Sequence, residues 1–157
     1  MTDDKKLPMS LQLVGLTAVV VFCFSAIAVF NYSRALWQAW AMFVSVTATN
    51  KVELFFPIVR AAFLSIASAA MFVVLLRATL LTATRVAIGY LGVLLLLQGW
   101  LLLSWWLSVG QWHFGHRDLT FLLALGTKLV YLAWPLGLLI KVWPNYSFKR
   151  TGAERLR

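Results

Sequence analysis

At 157 residues, with 62% hydrophobic and only 12% charged, the chain carries more apolar surface than a soluble fold of its length buries. Its formal net charge of +9 would suit a polyanion, but the 14 lysines and arginines flank apolar runs instead of forming a basic groove interleaved with aromatics, which argues against a nucleic-acid partner. Cys23 is the only cysteine, so no intrachain disulfide, Cys-x-x-Cys redox pair or four-cysteine metal site can be built, and small apolar filler is its expected role.

Long apolar runs without period-2 alternation predict helices, because a chain crossing hydrocarbon must satisfy its backbone hydrogen bonds internally. The expected fold is therefore all-α, an integral membrane four-helix bundle forming one transmembrane domain over 1–157. The first span is expected at 11–30, where Leu11 to Phe30 is free of charge and has about the 20 residues needed to cross roughly 30 Å. A competing reading is a cleaved signal peptide ending near Ala26-Ile27-Ala28, weakened by an apolar run that continues past that site.

From Asn31 to Phe56 the chain is aromatic and mildly polar, and a short helix lying in the outer interface is expected between the first and second spans. The apolar part, Ala35 to Ala48, is short for a fifth span, which is the alternative. The second span is expected at 57–80, with Pro57 in its first turn and Arg60 snorkelling outwards. Within it Ala61, Ser65 and Ala69 recur every four residues and form a small-residue face suited to close helix packing.

Thr82 to Arg85 reads as a short linker into the third span at 86–109, so that the second and third spans form a helical hairpin. The last span is expected at 119–140, ended by Pro144 and followed by a basic tail, 141–157, that carries Lys141, Lys149, Arg150, Arg155 and Arg157. Trp37, Trp40, Trp105, Trp106, Trp112 and Trp143 are the expected interface anchors, since amphipathic indole rings favour the headgroup region. With both termini in the cytoplasm, the inner side holds nine basic residues (Lys5, Lys6, Arg77, Arg85 and the five of the tail) against four outside (Arg34, Lys51, Arg60, Arg117). That asymmetry predicts both ends inside, and short connections favour a bacterial inner membrane. The lipid bilayer is the first partner, with anionic lipid at the basic tail.

Lys128 is the residue that stands out. Nine residues after Leu119, it is about 13 Å into its helix and close to the membrane centre, where a lysine costs about 2.5 to 3.5 kcal/mol unless it finds water, a partner or the interface. Gln98 in the third span and Ser65 and Ser68 in the second are expected at a similar depth, which predicts a midplane polar cluster of Lys128, Gln98, Ser65 and Ser68. Such a cluster is either a satisfied hydrogen-bond network or a site for an ion, a small molecule or a partner's carboxylate.

No catalytic constellation accompanies it. His113, His116 and Asp118 have a spacing that could hold a metal, yet Gly115 and Arg117 speak against a ligand set, and no metal or cofactor is expected. Both histidines fall in a loop, so neither can serve as a base or haem ligand at membrane depth. The expectation is a non-enzymatic accessory or assembly subunit that meets a membrane-protein partner through its outer Trp-rich segment and Lys128. The alternative is a small transporter or channel-forming homo-oligomer using the polar cluster.

Overall fold

A computed structural model describes the backbone of residues 7–41, 48–110 and 119–154 and, within these, the side chains of residues 7–38, 55–108 and 121–144. Its elements are α1 (Met9–Ala41), α2 (Ala48–Arg77), α3 (Leu80–Trp105) continued by a π-helical turn (Trp106–Gly110), and α4 (Leu119–Glu154). Four segments are long and apolar enough to cross a bilayer: Met9–Gln38, Phe55–Arg77, Leu80–Ser108 and Phe121–Pro144. Only 11 to 22% of the most apolar stretch of each is buried within the chain, and Phe24, Leu96 and Val130 are exposed, as expected of helices whose outer faces meet lipid. The protein is an all-α, multi-pass integral membrane protein with four membrane-length helices.

The helix ends differ from expectation for one recurring reason: a helix ends where its hydrogen-bond ladder is interrupted or capped, not where hydropathy falls. No glycine or proline lies between Leu16 and Phe56. Helix α1 accordingly runs unbroken through Arg34 and Trp37 to Ala41, and α2 has already begun at Ala48. The expected interfacial helix is thus divided between extensions of α1 and α2, and Pro57 lies inside α2 instead of in its first turn. Residues 42–47 lie outside the described residues.

The break expected at Thr82–Arg85 falls three residues earlier. Thr79 caps α3, its hydroxyl accepting from the Thr82 backbone N–H at 3.4 Å and lying 3.0 Å from the Thr82 hydroxyl. Thr82 to Arg85 therefore form the first turns of α3, and the Thr84 hydroxyl donates back to the Leu80 carbonyl at 2.7 Å. At the other end of the molecule α4 does not stop at Pro144 but continues to Glu154. A proline removes one donor and crowds the preceding turn, yet the residues after it can resume the ladder, and membrane helices tolerate this more readily than soluble ones.

Contacts within the chain cluster into two compact units, Gln12–Ala78 and Met1–Leu11 with Thr79–Arg157. In the first, α1 and α2 run antiparallel. The Ser25 and Ser65 hydroxyls are 2.8 Å apart, and a Cβ built on Gly15 would lie 3.0 Å from Leu75 Cδ1. Ten residues separate the contacts on each helix, so the pairing keeps step over about 15 Å. Ala18 and Ser25 on α1, and Ala61, Ser68 and Leu75 on α2, are buried at seven-residue intervals.

This repeat explains what became of the small-residue face. Seven residues turn a helix by about −20°, so every seventh residue stays on the seam, whereas eight turn it by about 80°. Ala61 is buried and Ser65 is hydrogen-bonded at the seam, but Ala69, eight residues beyond Ala61, is exposed and Ser68 takes the buried place. The same arithmetic turns Cys23, two residues before Ser25, onto the exposed side of α1 and away from its expected place as filler.

Candidate functional site

In the second unit, α3 and α4 pack against each other. Trp105 stacks on Phe121 with ring centroids 5.4 Å apart and planes inclined by 24°. Stepping inwards from this pair by seven residues on each helix, which is two turns, leads to Gln98 and Lys128; two further steps lead to Leu91 with Pro135 and to Thr84 with Val142. Those last four residues are buried, whereas Gln98, Lys128, Trp105 and Phe121 are half-buried. The α3–α4 seam is thus a heptad repeat like that of an antiparallel coiled coil, tight at the Thr84 end and open at the Trp105 end.

The open half encloses a cleft of about 440 Å³ lined by Gln98, Leu101, Leu102, Ala124, Thr127, Lys128 and Tyr131. The α3 positions fall at 98, 101 and 102 and the α4 positions at 124, 127, 128 and 131, so each set follows the three-and-four spacing of one helix face. Thr127 turns its hydroxyl back to the Leu123 carbonyl and is satisfied within its own helix. Gln98 makes no side-chain hydrogen bond among the described residues, leaving its amide N–H groups and carbonyl available.

The Lys128 Nζ lies 5.4 Å from the centroid of the Trp105 ring. Helix direction explains the contact. Side chains lean towards the N-terminus of their helix, so Lys128 on α4 leans towards Phe121 while Trp105 on α3 leans back towards Gln98, and the two converge. Lys128 lies nine residues into α4, two turns from Phe121.

Magnitudes decide how settled the lysine is. A cation over a tryptophan face contributes about 0.5 to 2 kcal/mol, depending on desolvation. A lysine at membrane depth costs about 2.5 to 3.5 kcal/mol at the centre and less where it can snorkel. Trp105 and the lean towards Phe121 offset much of that cost, but a ring face does not neutralise a charge. Among the described side chains there is no carboxylate, so none of them supplies a counter-charge for Lys128.

The structure therefore brings Lys128 and Gln98 to one cleft and places Ser65 and Ser68 in the other unit. Ser65 lies 2.8 Å from the Ser25 oxygen and 3.0 Å from the Ala61 carbonyl, and Ser68 is 1% exposed. Sequence reasoning missed Trp105 as the lysine's neighbour and Tyr131 as a wall of the cleft. The seven-residue spacings 98–105, 121–128 and 124–131 were the signal that could have found them. Among the tryptophan anchors, Trp37 and Trp143 are exposed and Trp106 is exposed in the π-helical turn. The side chain of Trp40, and Trp112 with His113, His116 and Asp118, lie outside the described residues. Trp100 and Trp134 are also exposed.

No protein family, curated protein or solved structure matches this chain.

Proposed function

We propose that the protein is a non-enzymatic accessory or assembly subunit of a membrane complex, engaging a membrane-protein partner at the cleft between α3 and α4. The observation that carries this reading is a half-buried lysine beside an unengaged glutamine in a cleft between two membrane-length helices, with no carboxylate among the described side chains. A charge retained within a membrane helix faces the bundle interior or a cavity, pairs with another group and marks a functional site. A homo-oligomeric channel would gather several Lys128 ammonium groups with no carboxylate among the described side chains to balance them, so this alternative has less support.

The test compares mild-detergent extracts of the natural chain and Lys128→Leu by crosslinking and native mass analysis. A defined membrane-protein partner present with the natural chain and lost in the variant is the expected result. An unchanged set of associated proteins would remove the lysine from any docking role.

We place both termini in the cytoplasm of a bacterial cell, with the chain in the inner membrane. Nine basic residues against four support this orientation, and an even number of crossings would bring both ends to one side. In this orientation the Trp105–Phe121 end of the cleft faces outwards, and the tail (Lys149, Arg150, Arg155, Arg157) adjoins anionic headgroups at the inner surface. A reporter fused after Arg157 should be active only if it works in the cytoplasm; activity of a periplasm-dependent reporter at that position contradicts the orientation.

A further inference from the structure

The cleft between α3 and α4 collects polar groups that the two helices leave without an acceptor. Among the described residues the ring of Trp105 is the one partner of the Lys128 ammonium, and the side chains of Gln98 and Tyr131 make no hydrogen bond. Thr127 is satisfied by the Leu123 carbonyl and adds nothing. Ser25, Ser65 and Thr84, by contrast, close on one another or on their own helices. Apolar walls with a few convergent polar groups are the general form of a small-molecule site.

The donors fix the chemistry of its ligand. An ammonium has three N–H bonds and an indole face takes up one side of it, so the rest are open to an acceptor. The Gln98 amide supplies two further N–H donors and the Tyr131 hydroxyl one. A single negative charge spread over two oxygens matches one cation and several neutral donors, and a carboxylate provides it. Charge-assisted hydrogen bonds of this kind gain strength where the local dielectric is low. A phosphate monoester would set close to two negative charges against one cation, and a cationic ligand would be repelled.

Size and walls fix the rest. A cleft of about 440 Å³ is towards the small end of ligand pockets, which run from about 300 to 1,000 Å³, so one hydrocarbon chain suits it better than a two-chain phospholipid. Leu101, Leu102 and Ala124 form its apolar walls, and the adjoining Leu103 and Leu123 are exposed. An apolar chain lying along these walls continues onto the lipid-facing surface while its head meets Lys128.

We propose that the cleft binds a single-chain lipophilic carboxylate of the long-chain fatty acid type. Its head is held by Lys128, Gln98 and Tyr131 and its chain by Leu101, Leu102 and Ala124. The inference goes beyond the accessory-subunit reading and does not need it. Both draw on Lys128, so ligand and partner exclude each other, and the carboxylate holds the cleft while no partner does.

The test uses the purified full chain in phosphatidylcholine nanodiscs, with no partner present, and a twelve-carbon fatty acid carrying a diazirine in its chain. Illumination attaches the probe to whatever lines that chain, and mass analysis of the digested protein locates it. Saturable labelling is expected within residues 101–102 and 124–131. Dodecanoate should compete for it at least about tenfold more strongly than dodecanol or dodecyltrimethylammonium, and more strongly than dodecyl phosphate. Lys128→Met should weaken labelling by a similar factor, Lys128→Arg should keep most of it, and Gln98→Leu should fall between them.

Equal competition by dodecanol overturns the anionic head, and stronger competition by dodecyl phosphate overturns the carboxylate in favour of a phosphate ester. Labelling that does not saturate, that maps elsewhere on the chain, or that is unchanged in a folded Lys128→Met overturns the site. The competition series needs only the natural chain, so it decides even if Lys128→Met fails to fold. None of these outcomes bears on the subunit reading, whose own test is partner capture from extracts without added ligand.

Discussion

The two helical hairpins treat a polar residue in their seam in opposite ways. Between α1 and α2, Ser25 and Ser65 meet at 2.8 Å while lying 3.1 and 3.0 Å from the Phe22 and Ala61 carbonyls of their own helices. Each hydroxyl has one proton, so one serine donates to its helix carbonyl and accepts from the other, or the roles exchange; either way both are satisfied without outside help. Between α3 and α4, Gln98 and Lys128 occupy the equivalent kind of layer, and there the packing loosens into a cleft. A hydroxyl can hide against its own backbone, but an ammonium cannot. What separates a structural polar layer from a candidate site is whether the helices themselves can complete the chemistry.

The comparison breaks most sharply if a charge is moved from the open seam to the closed one. Ser68 is buried in α2, nine residues before its end at Arg77. Ser68→Lys should cost about 2.5 to 3.5 kcal/mol, seen as loss of the folded species in mixed-micelle unfolding and reduced membrane insertion. If Ser68→Lys were tolerated as well as the native Lys128, the cleft would not be what accommodates a lysine.

A smaller effect sharpens the other side. A double-mutant cycle of Ser25→Ala and Ser65→Ala should give a coupling energy of about 0.6 kcal/mol, the scale of interhelical hydrogen bonds measured in membranes. Equilibrium unfolding of the two single variants and the double variant measures it directly. A coupling near zero would mean that the two serines are satisfied by their own helix carbonyls alone, and that close packing, with Gly15 admitting the tip of Leu75, holds α1 to α2.

Several features were legible in the sequence. Membrane class, four spans and the all-α fold follow from the length and charge-free character of the apolar runs, because hydrocarbon leaves a backbone few ways to satisfy its hydrogen bonds. The unusual status of Lys128 and its depth match with Gln98 also follow from counting residues along helices. Boundaries read less well. Pro144 did not end α4, the change of polarity at Asn31 did not end α1, and the break before α3 was set by the Thr79 cap, a local hydrogen bond that hydropathy does not see.

Which side chains share a seam was decided only by the tertiary structure. Spacings of four and seven both keep residues near one face over a single step, and they diverge only when a partner helix selects the line of contact. Packing of antiparallel helices chose seven, which buried Ser68 in place of Ala69 and aligned Trp105 with Phe121 and Gln98 with Lys128. The sequence by itself determined that a lysine would be costly in this membrane, because transfer of a charge into hydrocarbon depends on residue type and depth alone. That the lysine leans on Trp105 beside an open cleft, in a unit separate from the serines expected beside it, depended on how the helices pair, which no one helix encodes.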